Sequence, residues 1–321
     1  MKIAFHSNQL GELGTEVAVY DYAHYNETLL NNRSIIIAPK TGKHAALEKF
    51  STRFDIFLYD KRRTLDDFLH RENCDAFYAI KPGKNDGIVS KSCKNLVHCV
   101  FDANTPHGDV YAAISSTVAN QSIRSGQVPV VPHMVSLPRA DGDMRAQLGI
   151  PATAVVFGRY GGAGSFDIPF VYRAVYKTLI NRPDAYFLFA NTPNFLRHYW
   201  LASHPRVIFL PPMINLCEKS RFINSCDAML HARHRGETFG LAIAEFSSHN
   251  KPVFTWCGSR EREHLDILKG KAMVYLDEMD LLDKIVAFDV KDARGQRWDM
   301  YSTDFSPEKV MAEFDRVFLA H

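Results

Sequence analysis

The chain has 321 residues with 46% hydrophobic content, enough to bury two domain cores. Its 38 basic and 36 acidic residues leave a net charge of +2, which argues against a broad nucleic-acid-binding field. Six scattered cysteines without a C-x-x-C pair read as free thiols of a reducing compartment, and the 14 histidines lack the clustering of a metal site.

The first residues, Met1-Lys-Ile-Ala-Phe-His6, read as a strand start and not as a secretory leader. No apolar run approaches the ~20 residues of a membrane span. Apolar runs predict strands over residues 2–6, 34–38, 55–59, 76–80, 95–100 and 111–115, with a helix over 16–30. Strand 2–6 leads into Asn8-Gln-Leu-Gly-Glu-Leu-Gly-Thr-Glu16, whose Gly11 and Gly14 lie between a strand end and a helix start, a natural ligand loop. His98 lies in strand 95–100, where two roles are open to a histidine: packing against backbone or facing a ligand. His107 sits in the loop Asn104-Thr-Pro-His-Gly-Asp109.

Pro132, Pro138, Gly142, Gly149 and Pro151 punctuate a polar stretch and place a domain boundary within residues 132–152. Beyond it, strands are predicted over 154–158, 185–190, 207–210, 228–231, 252–255 and 272–275, with helices over 166–180 and 216–224. Short, continuously apolar strands alternating with helices indicate an α/β protein with parallel sheets covered on both faces. The loop Gly158-Arg-Tyr-Gly-Gly-Ala-Gly-Ser-Phe-Asp167 offers amides to an anion. Gly162-Ala-Gly164 lacks the third glycine of a dinucleotide fingerprint, and no acidic residue ends the next strand at Ala190-Asn191. The last segment, residues 306–318, is predicted as a helix with Pro307 in its first turn.

The most informative segment is Glu237-Thr-Phe-Gly-Leu-Ala-Ile-Ala-Glu245, read as a loop carrying Glu237 and a helix carrying Glu245. Unpaired amides at a helix start suit a phosphate, and the flanking carboxylates accept hydrogen bonds from hydroxyls. Glu-x7-Glu around Phe-Gly resembles the donor-site motif of retaining glycosyltransferases of the GT-B architecture, family 4 (glycosyl transferases group 1). The resemblance implies two Rossmann-like parallel-sheet domains facing a cleft. These would be an acceptor-side domain (1–140), a nucleotide-sugar domain (141–302) and a terminal helix (303–321) crossing back to the first.

It further implies that Glu237 contacts the transferred sugar and Glu245 the ribose. Backbone amides of Phe239, Gly240 and Leu241 would meet the diphosphate and sugar. Leu13-Gly-Thr-Glu16 resembles the family's Gly-Gly-x-Glu loop and brings Gly14 to the donor. Arg159 matches the family's Gly-Arg, whereas its following lysine is absent. Gly161, Gly162 and Gly164 occupy that neighbourhood, with Arg233 or Arg235 as compensating cations. His98 takes the place of the sugar-contacting histidine, and His107 reaches the acceptor. Glu237, Arg159 and His98 are thus the expected catalytic residues.

The implied activity is transfer from a UDP- or GDP-sugar to a glycan or other hydroxyl acceptor with retention. It needs neither cofactor nor metal, in agreement with the absence of a clear Asp-x-Asp metal motif at a strand end. A sugar-nucleotide epimerase of the same fold and a non-catalytic nucleotide-sugar-binding module are the alternatives. A cytoplasmic protein is expected, without nucleic-acid partner or transmembrane segment, and with peripheral membrane contact left open.

Overall fold

The computed structural model describes residues 1–122, 128–199 and 201–320. The chain forms two units: Met1–Ser136 with Asp304–His321, and Leu137–Thr303.

Unit 1 runs β1 (Lys2–His6), α1 (Gly14–Thr28), β2 (Arg33–Pro39), α2 (Leu47–Ser51), β3 (Asp55–Tyr59), α3 (Arg62–Arg71), β4 (Ala76–Lys81), β5 (Lys94–Cys99), β6 (Val110–Ala113) and α4 (Ser116–Ala119). All pairings in its sheet are parallel, in the order β3-β2-β1-β4-β5-β6. The run Ile35-Ile-Ile-Ala38 is buried throughout, as is all of β4, because helices cover both faces of such a sheet. Ile35, Ile37, Phe77 and Ala79 share one of its core clusters with Leu65 and Leu69 of α3.

Unit 2 continues with β7 (Val155–Arg159), α5 (Pro169–Asn181), β8 (Ala185–Ala190), β9 (Val207–Leu210), α6 (Leu216–Ser225), β10 (Ala228–Leu230), β11 (Gly236–Glu237), α7 (Leu241–Ser248), β12 (Val253–Trp256), β13 (Glu261–Arg262), α8 (Glu263–Leu268), β14 (Ala272–Tyr275), α9 (Glu278–Ala287) and α10 (Val290–Arg294). Its large sheet is also parallel, ordered β14-β12-β10-β7-β8-β9. The chain leaves β7 in one direction through β8 and β9, then returns to β7's other side at β10. The crevice beyond the carboxyl ends of β7 and β10 is therefore a topological switch point, where open α/β sheets bind ligands.

Several boundaries differ from the sequence expectation. β7 ends at Arg159, one residue later than predicted, so Arg159 closes the strand. α5 starts at Pro169, because Phe166 and Ile168 are buried ahead of it and Pro needs no N–H partner at a first turn. Glu237, expected in a loop, belongs to the two-residue strand β11, paired in parallel with β13.

The predicted terminal helix is split into α11 (Pro307–Phe314) and a wider turn, Asp315–Leu319, closed by Ala320 N donating to Asp315 O at 2.9 Å. Both belong to unit 1, where Phe314 stacks on Tyr22 (centroids 5.3 Å apart) and Phe318 meets Tyr78 edge-on at 5.6 Å. Among the described residues, no helix is long and apolar enough to cross a membrane.

Candidate functional site

Residues from β7, β10, β11 and α7 meet at the switch point of unit 2. Arg159, at the end of β7, is buried and bonded on both sides of its guanidinium. Nη1 donates to Thr192 Oγ1 and, at 3.3 Å, to Asn191 O. Nη2 donates to Gly162 O at 2.8 Å and Ser165 Oγ at 2.6 Å. Asn191 Nδ2 adds a bond to Gly161 O at 3.0 Å. The glycine-rich loop is thereby fastened to the residues that follow β8. Burial pulls the Arg159 pKa down to about 10, against the opposing charge of Glu237, so it remains a cation at neutral pH.

Glu237 receives two different donors. Arg233 Nη1 bonds Oε2 at 2.8 Å, and His231 Nε2 lies 3.3 Å from Oε1. Burial favours its neutral form, but the His231 hydrogen bond and the Arg233 charge outweigh this and bring the pKa from 4.5 to about 2. Its side chain keeps 21% exposure, so an ionised carboxylate reaches the surface of the site.

Two glycines make this geometry available. Gly236 has φ +75°, and a Cβ there would lie 2.0 Å from Glu261 O, so only glycine lets β11 approach β13. Gly240, at φ +88°, is the N-cap of α7, and a Cβ would press on Glu237 Cβ at 3.2 Å. No side chain caps α7, and a helix's first-turn amides have no partner within the helix. Leu241 begins that turn. Phe239 is buried, its carbonyl accepting from the Tyr301 hydroxyl at 3.0 Å.

Glu245, on α7, is buried. The Tyr160 hydroxyl donates to its Oε2, and Lys219 Nζ lies 3.4 Å from Oε1. Arg235 turns toward Glu261, with Nε 4.0 Å from Oε1, an acceptor it shares with Arg260 at 3.0 Å.

The structure therefore brings together Arg159, Gly162, Glu237, Phe239, Gly240, Leu241 and Glu245 in unit 2, with Arg235 beside them. Three expected residues lie in unit 1. Gly14 opens α1, and His107 is held by its Nδ1 on Thr105 O at 2.8 Å. His98 is fully buried, with Nδ1 2.7 Å from the Tyr78 hydroxyl and Nε2 2.8 Å from Val131 O. Its contacts are those of a packed histidine, the other role open to it in the sequence. Arg233, expected as a compensating cation, instead pairs with Glu237 four residues on, and no local motif marked His231, Tyr160 or Lys219 as partners of the two carboxylates.

No protein-family profile matches the chain, and no curated protein matches it in sequence. Solved structures do. The chain is similar to Anabaena Alr3699/HepE in complex with UDP and glucose, at TM-score 0.75 and 13% identity over 100% of this chain and 99% of that one. A glycosyltransferase from Rickettsia africae ESF-5 matches at 0.71 and 12% identity, over 100% and 99%. A candidate UDP-N-acetylglucosamine 2-epimerase from Listeria monocytogenes matches at 0.66 and 12%, over 99% and 96%. With two parallel six-stranded sheets and a match along its whole length, the chain has the GT-B fold.

Proposed function

We propose that unit 2 binds a UDP- or GDP-linked sugar and that the protein transfers this sugar to a hydroxyl of a glycan or other acceptor, with retention of configuration. One observation carries the reading. At the switch point of the second sheet, an ionised Glu237 stands just ahead of an uncapped helix start and beside a fastened glycine-rich loop. An anion receptor next to a hydroxyl acceptor is what a sugar diphosphate requires. Support comes from fold relatives: HepE structures hold UDP with glucose, and UDP-glucose.

In this reading Glu237 accepts from hydroxyls of the transferred sugar. The amides of Gly240 and Leu241, and those of the loop at Gly161, Gly162 and Gly164, face the diphosphate. Glu245 holds the ribose within its Tyr160–Lys219 frame. Arg159 shapes the loop and adds its charge from below, while Arg233 and Arg235 supply the cations at its rim. As the sugar leaves, negative charge grows on the phosphate, and preorganised amides and the helix start stabilise it at no reorganisation cost. The departing phosphate then helps deprotonate the acceptor on the same face, which gives retention. Gly14 and His107 are assigned to unit 1's contribution to substrate contacts. The reading uses no metal and no cofactor, and the six free cysteines favour a reducing, cytoplasmic setting.

The Listeria relative motivates a second reading, epimerisation of the nucleotide sugar without an acceptor. A panel of nucleotide sugars screened by thermal shift identifies the donor, since ligands of the folded state raise its stability. NMR of the products then separates the two: a new glycosidic bond with the donor's anomeric configuration, or a free epimer. A panel in which no nucleotide sugar raises the melting temperature sinks both.

A further inference from the structure

We propose that a buried hydrogen-bond chain, His264–Thr255–His231, positions the Glu237 carboxylate for the sugar. The proposal rests on the donor-site reading above and adds Thr255 and His264 as positioning residues.

The chain is continuous. His264 Nε2 lies 3.1 Å from Thr255 Oγ1, which lies 2.9 Å from His231 Nδ1. His231 Nε2 in turn lies 3.3 Å from Glu237 Oε1. His264 and Thr255 are fully buried and His231 nearly so, with the two imidazole rings 5.1 Å apart. Four elements converge to build it. Thr255 is on β12, beside β10, whose end carries His231. His264 is on α8, directly after β13, the partner of Glu237's own strand β11.

Hydrogen-bond chemistry gives the chain a direction. An ionised carboxylate only accepts, so His231 must present Nε2–H to Glu237. In the neutral ring Nδ1 is then an acceptor, satisfied by the Thr255 hydroxyl. His264 Nε2 is that hydroxyl's second neighbour, at 3.1 Å. Burial holds His264 neutral, with its pKa down near 3. The charge of Glu237 thus fixes a proton on His231 Nε2.

The chain fixes Oε1 while Arg233 fixes Oε2, and a carboxylate held at both oxygens cannot turn. His231 and Arg233 together keep Glu237 ionised against its burial. The second support sets its orientation, the quantity a sugar hydroxyl reads. Burying two imidazoles and a hydroxyl beside the apolar strands β10 and β12 costs free energy that only their mutual hydrogen bonds offset.

The test uses the full chain and two donors with their nucleotides: UDP-glucose and UDP, GDP-mannose and GDP. Thr255→Val removes the hydroxyl at nearly constant shape, Thr255→Ser keeps it, and His264→Phe removes the far imidazole. Calorimetry should show Thr255→Val binding the nucleotide as the wild type does while the matching nucleotide sugar weakens about tenfold, a hydrogen bond's worth at a charged group. Thr255→Ser should restore it. Nitrogen NMR should find His231 protonated at Nε2 in the wild type and a tautomer mixture in Thr255→Val. His264→Phe should shift both readouts the same way and serves if Thr255→Val does not fold. Wild-type sugar affinity and an unchanged His231 signal in a folded variant overturn the chain alone. Absence of binding of either nucleotide sugar to the wild type overturns the donor reading, and this assignment with it.

Discussion

At the scale of single residues, Glu237 is defined by the two donors that flank it. In Glu237→Gln the new amide must turn its NH2 toward either Arg233 or His231, placing donor against donor. We expect kcat/KM to fall at least about tenfold, from a lost charge-assisted bond. Unchanged kinetics in a folded variant would remove Glu237 from the site. Its titration adds a second check. Folding lowers its pKa from 4.5 to about 2, so the unfolded chain takes up the proton first as the solution is acidified. The stabilisation is complete above the unfolded value and disappears as pH falls through the folded one. The melting-temperature gap between wild type and Glu237→Gln should therefore close on acidification across that window; a constant gap would mean that Glu237 is not ionised in the fold. Arg159 calls for a different outcome. Its guanidinium ties Gly162, Ser165, Asn191 and Thr192 together, so Arg159→Ala should cost about 2–4 kcal/mol in stability. Donor affinity should fall with it, because the loop amides lose their frame. Denaturant unfolding checks the first and calorimetry the second; a stable variant that loses only affinity would make Arg159 a direct phosphate ligand.

At the scale of elements, the site depends on a strand pair only two residues long. Gly236→Ala would drive a Cβ to 2.0 Å from Glu261 O at a left-handed φ of +75°. It should separate β11 from β13, costing on the order of 2–4 kcal/mol, and displace Glu237 enough to abolish sugar binding. A variant with normal melting temperature and sugar affinity would show that the pairing is dispensable. This pair also marks where the sequence stops being legible. Runs such as Ile35-Ile-Ile-Ala38 and Val155-Val-Phe157 announce buried strands because each is a short, continuously apolar stretch. Gly236-Glu237 has no periodicity, and its partner lies 25 residues onward, across α7 and β12. Glu237 and Gly240 were legible as a motif. The partners that ionise and orient Glu237 were not: Arg233 was expected at the diphosphate, and His231 looks like background until the chain folds it onto the carboxylate. His98 shows the converse: a strand-end histidine is ambiguous in sequence, and the Tyr78 and Val131 contacts resolve it toward packing.

At the scale of the whole molecule, the two units bury separate cores, yet unit 1 is assembled from both ends of the chain. The parallel sheets were readable from strands alternating with helices, whereas the strand order and its switch points were not, because pairing is non-local. The last eighteen residues carry Phe314 and Phe318 into the aromatic cluster of Tyr22, Tyr78 and Phe5, where both are fully buried. Unit 1 therefore completes its core only when the C-terminal segment arrives. Phe314→Ala should leave a cavity there and cost about 3–5 kcal/mol. The loss should be local. Hydrogen exchange should show β1, β4 and α1 losing protection while β7, β10 and α7 keep theirs. Nucleotide affinity should stay at the wild-type level, because the residues proposed to hold the diphosphate and the ribose lie within Leu137–Thr303. Equal loss of protection in both sheets would mean that the two cores unfold as one cooperative body, and the donor site could then no longer be treated as a property of unit 2 alone.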